Sequence, residues 1–451
     1  MKKLSTLDLL NLFPEHKGKA KDDISIYEVF TDSRHEASHG LFVPIIGENF
    51  DAHDYILEAI DNGAVAALWS KNELHRGIPT DFPIFFVEDT IEALQDVATY
   101  YREQKDPIVI GITGSNGKTT TKELVAACMS EKYKVTKTSG NLNNHIGLPR
   151  SILSMEPDTE VLVLEMGMSQ FGEIETLSKI SKPDVAIITN IGESHIEHLG
   201  SRAGIAKAKS EILAGLKDDG IFIIDGDESL LKNHPENVRT LTCGFDENND
   251  FVISNFKQGV ADTSFHLNDE SFSIPLLGRH QAKNFAFAFA TSKYLGISGP
   301  SVQSAMKQLN LPSMRFEKLE TTSGATVIND AYNASATSMI ASIDVVKEMP
   351  FKKKIIVLGD VLELGSFSQQ EHEKVGAFID NSVDILYTFG NESQHIQNAL
   401  SENFIGLNEH FTSREELIGA IKENMTEDSI ILFKASRGLR FEEIIEEILK
   451  T

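Results

Sequence analysis

Apolar and polar positions fall into three successive α/β patterns along the chain. In the first, apolar runs at 28–30, 41–44, 64–68 and 84–87 read as short buried strands, and the spacing over 90–102 reads as a helix. The opening segment, residues 1–13, has a charged beginning followed by spaced leucines. It has no long apolar stretch and no small-residue cleavage site, so it reads as an amphipathic helix rather than a signal peptide. The second pattern carries apolar runs at 109–112, 161–164, 185–189 and 221–225, with helical spacing between them. That is the signature of a parallel sheet wound with helices. Over 251–277 the period shortens to alternating runs, which predicts an antiparallel flap, and 281–295 returns to a helix rich in alanine and phenylalanine. The third pattern has strands expected at 325–328, 354–358, 385–389 and 429–433, again alternating with helices. No Gly-x-Gly-x-x-Gly turn follows its first strand, so a Rossmann-like unit is expected without dinucleotide binding. Breaks near Pro107 and Pro312 divide the chain into 1–105, 106–312 and 313–451. The expected class is therefore α/β in three domains: a small N-terminal α/β domain, a central phosphate-loop domain with a mostly parallel sheet, and a Rossmann-like C-terminal domain.

Composition narrows the setting. The chain has 451 residues, 41% of them hydrophobic, which suffices for three cores. A formal charge of -25 disfavours nucleic acid as a partner, because phosphate backbones require a basic face. Only Cys128 and Cys243 are present, so a disulfide framework is not expected and a reducing cytoplasm is the default. No stretch approaches the ~20 apolar residues of a membrane span.

The chemistry begins at Val109-Ile110-Gly111-Ile112-Thr113-Gly114-Ser115-Asn116-Gly117-Lys118-Thr119-Thr120. A strand-like run enters a glycine-rich turn and then a helix opened by Lys-Thr-Thr. Backbone N–H groups in such a turn wrap a polyphosphate, Lys118 neutralises it, and the Thr119 hydroxyl suits Mg²⁺. The glycine spacing departs from the common phosphate-loop pattern, which would need Gly where Ile112 stands. Glu165 ends the next apolar run and faces the ligand edge expected of an open sheet, where a hard carboxylate oxygen fits Mg²⁺. The turn Asn190-Ile191-Gly192-Glu193-Ser194-His195 follows the next strand toward the same edge, which makes His195 a ligand candidate as readily as a surface histidine. His198 keeps the plainer reading. Lys209 lies in a helical segment where a solvated surface lysine is the default. Thr31-Asp32-Ser33-Arg34 and Ser139-Gly140-Asn141-Leu142-Asn143-Asn144 are polar turns that suit a phosphate or sugar but are also common turn sequences. Asn329 to Ala334, Leu358 to Gly365 and Lys434 to Gly438 are polar strand ends on the third unit, which together imply a ligand face.

Taken together and in order, these stretches resemble the Mur ligase family, the ATP-dependent amide ligases of peptidoglycan precursor synthesis. The glycine spacing of 113–120 is that family's form. The resemblance extends through Gly140 to Gly147, Gly278-Arg279-His280 with Asn284, and Met314-Arg315. Glu165-Met166-Gly167, Ala206 to Ile212, Asp330 to Ala334 and Gly359 to Gly365 resemble the branch that transfers D-alanyl-D-alanine. The Asp-Asn-Pro-Arg tetrapeptide of the branch adding the third amino acid does not occur. Ala331 and Ala435 depart from the Ser and Gly that are commoner there.

The resemblance implies an enzyme that joins D-alanyl-D-alanine to UDP-N-acetylmuramoyl-tripeptide through an acyl phosphate. The alternative is another ligase of the family, such as the one adding the third amino acid. It implies that Gly114, Ser115, Asn116, Gly117, Lys118, Thr119 and Thr120 hold the ATP phosphates, while Asn284, Arg315 and Asp330 contact the adenine, phosphate and ribose parts. Thr119 and Glu165 would hold one Mg²⁺ and His195 would help hold a second, with Lys209 as a CO₂-derived carbamate near the metal, and Lys118, His195 and Lys209 would serve the chemistry. Ser33, Arg34, Asn141 and Asn144 would contact the nucleotide-sugar substrate, the UDP end lying on the first domain and the dipeptide on the third. A cytoplasmic monomer with no nucleic-acid partner and no stable membrane insertion is expected.

Overall fold

The computed structural model describes residues 3–73, 77 and 79–451. Its larger sheets follow one another in the chain: five strands within 16–87, nine within 108–274 and six within 317–434. None of the described helices is long and apolar enough to cross a membrane.

In the first sheet Glu28–Phe30, Gly40–Phe42, Ala64–Ser70 and Ile84–Val87 run parallel, and His16–Lys17 closes one edge antiparallel. The amphipathic helix expected over the opening residues is shorter than its pattern. Ser5 caps it, its hydroxyl accepting from Asp8 N while Asp8 takes back the Ser5 N–H, so the helix starts at Thr6 and ends at Leu12. Leu4 and Ser5 instead pair with Ser25–Ile26. The helix Thr90–Lys105 is capped by Asp89, which accepts from Ile91 N and Glu92 N, and ends where Asp106 turns left-handed at φ 45°. Leu94, Val97 and Tyr101 are fully buried along it, and burying the two aliphatic side chains contributes about 1.5–3 kcal/mol each. The same helix seals the first unit onto the second. The Tyr101 hydroxyl donates to the Met155 carbonyl (3.1 Å) and Gln95 Nε2 to the His145 carbonyl (3.0 Å).

In the second sheet β1 (Ile108–Thr113), third from one edge, runs through the glycine-rich loop into helix α1 (Lys118–Ser130). Strands β2 (Val161–Glu165) and β3 (Val185–Ile188) flank β1 in parallel. Being covered on both faces, the three are almost wholly apolar. Their carboxyl ends, at Thr113, Glu165 and Ile188, therefore open on one edge. Two short strands escaped the pattern reading, Val135–Lys137 and Thr240–Gly244, because their residues are half polar. The second of these corrects the expected flap. Cys243 and Gly244 pair in parallel with Phe251 and Val252, so the antiparallel hairpins extend the main sheet. Helix α2 (Arg202–Ser210) follows the β3 turn, and α3 (Arg279–Tyr294) packs Phe285 and Phe289 against Phe265 and Phe272.

In the third sheet β4 (Thr326–Asn329) and β5 (Lys353–Gly359) flank β6 (Ser429–Lys434) in parallel, with α4 (Ala336–Glu348) following β4. Glu317–Glu320 and Leu407–Phe411 add edge strands whose polar or half-exposed residues gave little apolar signal. One apolar cluster is continuous from Ile188, Ile191 and Ile196 to Met339 and Ile343 of α4. The third unit thereby lies against the loop edge of the second.

Candidate active site

The loop at the end of β1 is shaped by its neighbours. Gly114 adopts φ 152° and passes so close to Thr189 that a Cβ would lie 1.8 Å from its hydroxyl. Gly117 adopts φ 80°, where a Cβ would meet Asn284 Oδ1 at 2.6 Å. Two amides are tied to the β3 turn: Ser115 N donates to the Asn190 carbonyl and Asn116 N to Asn190 Oδ1 (2.8 Å). Gly117 then caps α1 with no side-chain acceptor. The first-turn N–H groups and the helix dipole are thus directed into a cleft of about 480 Å³. Ser115 Oγ is buried there without a hydrogen-bond partner among the described residues. Lys118 reaches back to the Gly114 carbonyl (2.6 Å), and burial lowers its pKa against the opposing pull of Glu165. This is a cradle for a polyphosphate.

Beside it, Thr119 Oγ1 donates to Glu165 Oε2 (2.9 Å) and Asn143 Nδ2 to Glu165 Oε1 (2.9 Å). Both carboxylate oxygens of a buried glutamate are held at the end of β2 next to the helix hydroxyl. Hard oxygens so placed suit Mg²⁺, which keeps waters and phosphate oxygens as its other ligands. No group of three His, Cys, Asp or Glu that could hold a metal unaided occurs among the described residues. The donor set therefore fits a metal that arrives with a nucleotide.

His195 caps the short helix after the β3 turn in the left-handed region, and its ring lines the cleft. Burial lowers its pKa below the ordinary 6.5, outweighing Glu363, whose Oε2 lies 2.5 Å from Nδ1 without hydrogen-bond alignment. A neutral imidazole at neutral pH retains a nitrogen lone pair for a ligand. Lys209, near the end of α2, is 2% exposed and also lines the cleft. Burial, and then the charge of Lys118, push its pKa well below the ordinary 10.5. The surface lysine that its helical context suggested is in fact an enclosed amine of raised neutral fraction.

The third unit closes the cleft. Arg315 Nη2 donates to Thr119 Oγ1 (3.2 Å), and its guanidinium lies 4.0 Å from the Tyr332 ring centroid. Asp330 is fixed by Lys434 Nζ (2.6 Å), the Ser342 hydroxyl (2.6 Å) and Phe316 N (3.1 Å). His280, at the start of α3, has its pKa lowered by burial to about 4. Asn284 is held from within the second unit, accepting from Thr121 Oγ1 and donating to Gln281 Oε1.

The cleft thus gathers residues 114–120, Glu165, His195, Lys209, Asn284, Arg315 and Asp330, together with Asn144. Ser33, Arg34 and Asn141 lie outside its lining. Ser33 donates to Glu58 (2.5 Å), and Arg34 forms an exposed pair with Asp32. Asn143, Tyr332 and Lys434 lie within stretches singled out as polar, but the reading of the residues assigned no role to them individually. Only their contacts across elements distinguish them.

A phosphate loop with an oxygen-ligand pair, covered by an arginine and an aspartate from a Rossmann-like unit, defines a phosphate-loop nucleotide-binding α/β protein. The Mur ligase middle domain matches residues 112–292, and the Mur ligase, glutamate ligase domain matches 314–437. The chain belongs to the Mur ligase family. It is 42% identical over 431 residues, 94% of each chain, to the UDP-N-acetylmuramoyl-tripeptide–D-alanyl-D-alanine ligase of Bacillus subtilis (strain 168). Among solved structures it is similar to MurF from Acinetobacter baumannii, with TM-score 0.86, 29% identity, and coverage of 95% of this chain and 94% of that one. MurF ligase from Thermotoga maritima in complex with ADP gives TM-score 0.83 and 31% identity, covering 93% and 96%.

Proposed function

We propose that this chain is an ATP-dependent amide ligase that adds D-alanyl-D-alanine to UDP-N-acetylmuramoyl-tripeptide, forming ADP and phosphate. The observation that carries the reading is the Thr119–Glu165 pair at the mouth of the phosphate loop, touched by Arg315 from the third unit. A carboxylate does not condense with an amine unaided at neutral pH. Transfer of the γ-phosphoryl group to the tripeptide carboxylate gives an acyl phosphate, which the dipeptide amine attacks with loss of phosphate. Both steps bring anions together, so the protein's work is positioning and charge compensation.

Residues 114–120 hold the triphosphate, Lys118 spreads its charge over the transferring group, and Arg315 reaches the same point from the opposite side. Asn284 and Asp330 orient the nucleoside. Thr119 and Glu165 would hold one Mg²⁺ and His195 would help hold a second, and the metal would supply Lewis-acid compensation of phosphate charge. Lys209 is suited to a further role. A neutral buried amine adds to CO₂ and releases one proton, so a side chain that is cationic when protonated becomes a carbamate anion and would add an oxygen ligand beside Thr119 and Glu165. Ser33, Arg34, Asn141 and Asn144 would contact the nucleotide-sugar substrate, and the units 1–105, 106–312 and 313–451 would divide the labour among substrate, ATP and dipeptide. A cytoplasmic monomer fits this chemistry.

The test is ADP release with UDP-N-acetylmuramoyl-tripeptide and Mg²⁺, with D-alanyl-D-alanine added last. Continuing ADP formation beyond a single turnover should appear only when the dipeptide is present. Folded protein that forms none, or that responds instead to a free amino acid with the dipeptide precursor, overturns the assignment.

A further inference from the structure

Glu193 takes no part in the roles above, yet it is 6% exposed and lies at the meeting point of two units. Both its carboxylate oxygens accept from the Thr337 hydroxyl of α4, at 2.9 and 2.8 Å, and Thr337 N points at the same carboxylate (3.4 Å). Thr337 is in the first turn of α4, where the helix dipole favours an anion. In α4's own capping box, Ser335 accepts from Ser338 N, and Ser338 Oγ accepts from Ser335 N. The Ser335 hydroxyl has a second set of partners: Asn116 Nδ2 donates to it (3.1 Å), and Asn116 Oδ1 lies 3.3 Å away as its acceptor. Asn116 belongs to the phosphate loop, and its backbone N–H is held by Asn190 at the start of the turn that carries Glu193. Glycine at 192 eases this close approach, since a Cβ there would sit 3.2 Å from both Asn116 Nδ2 and Ser115 Cβ.

Phosphate loop, β3 turn and α4 N-terminus therefore form one hydrogen-bonded junction. We infer that Glu193 is a positioning residue that docks α4 onto the phosphate loop, so that nucleotide occupancy of the loop and seating of the third unit favour one another. Docking brings Arg315 and Asp330 over the nucleotide. A loop ordered by phosphates presents Asn116 to Ser335, and the Glu193–Thr337 contact holds the seat. By linkage, weakening that contact weakens nucleotide binding even from the side of Glu193, which lies outside the cleft lining that Thr337 joins. The inference rests on the nucleotide-binding part of the function proposed above, and it is independent of which amine is transferred.

The full-length protein is titrated with ADP and Mg²⁺ by calorimetry, alongside E193Q, T337V, T337S and the E193Q/T337V double variant, with thermal unfolding confirming that each is folded. T337V is expected to weaken ADP binding about tenfold, and E193Q by a smaller factor. The double variant should bind no worse than T337V, and T337S, which restores the hydroxyl, should bind as the unchanged protein. Binding within twofold of the unchanged protein in both E193Q and T337V overturns the inference, as do losses that simply multiply in the double variant. ADP binding that follows the expected series, in protein that forms no amide with D-alanyl-D-alanine, would sustain this inference while overturning the substrate assignment.

Discussion

His195 Nδ1 lies 2.5 Å from Glu363 Oε2, a contact between the turn after β3 and the loop after β5. Both residues hold the left-handed backbone at φ 62°, a conformation costing roughly 1–2 kcal/mol for a residue with a side chain. The pair therefore stores strain at the point where the second and third units meet over the cleft. Glu363 stands against the imidazole as its charged neighbour, while burial outweighs it and keeps the ring neutral.

If His195 holds Mg²⁺, Glu363→Ala should raise the Mg²⁺ concentration giving half-maximal activity about tenfold, with a smaller change at saturating Mg²⁺. A Mg²⁺ titration of initial rates reads this directly. An unchanged half-saturation point would assign Glu363 to packing alone.

Lys209→Ala should abolish ligation while leaving the fold intact. A carbamate role further predicts partial recovery when a short-chain carboxylate is added, because the missing anion is then supplied from solution. Loss of activity with no recovery at any carboxylate concentration would leave Lys209 a buried lysine needed only as an amine.

Gly117→Ala places a methyl group 2.6 Å from Asn284 Oδ1 on a backbone at φ 80°. Asn284 is itself held by Thr121 and Gln281, so it has little room to yield. The variant should lose about 1 kcal/mol or more of stability and bind ADP at least tenfold more weakly. Thermal unfolding and calorimetry would measure the two effects, and normal ADP affinity would show that the loop relaxes.

His372 sets a pH dependence of stability. Its Nε2 accepts from Val361 N (3.0 Å) and its Nδ1 donates to the Ser368 carbonyl (2.8 Å), so the buried ring is held in its neutral form. Burial lowers its pKa below 6.5 in the folded chain. The unfolded chain then binds more protons as pH falls below 6.5, and stability is lost as pH drops through that value toward the folded pKa. His280, lowered to about 4, acts in the same direction. Urea midpoints should fall between pH 7 and pH 5, and His372→Gln should fall less steeply. Parallel slopes for the two proteins would remove His372 from the account.

The sequence by itself determined the order of the units, the strand–loop–helix that cradles phosphate, and the oxygen donors at the ends of β1 and β2. These depend on local rules: apolar runs of strand length, glycine at turns with φ 80° and φ 152°, and the common edge on which parallel strands end. Half-polar strands such as Val135–Lys137 and Thr240–Gly244 escaped because their partners, not their own residues, hold them. Lys209 reads as a surface charge along its helix, and only packing from distant segments removes its water and lowers its pKa. The same holds for Asn143 on Glu165, Glu193 on Thr337 and Glu363 on His195. Each pair is more than twenty residues apart in the chain, and its meaning lies in desolvation and geometry that arise when distant segments pack, within the second unit for Asn143 and Glu165 and between the second and third for the other two. The tertiary structure decided those contacts, because burial and inter-unit distance are properties of no single segment.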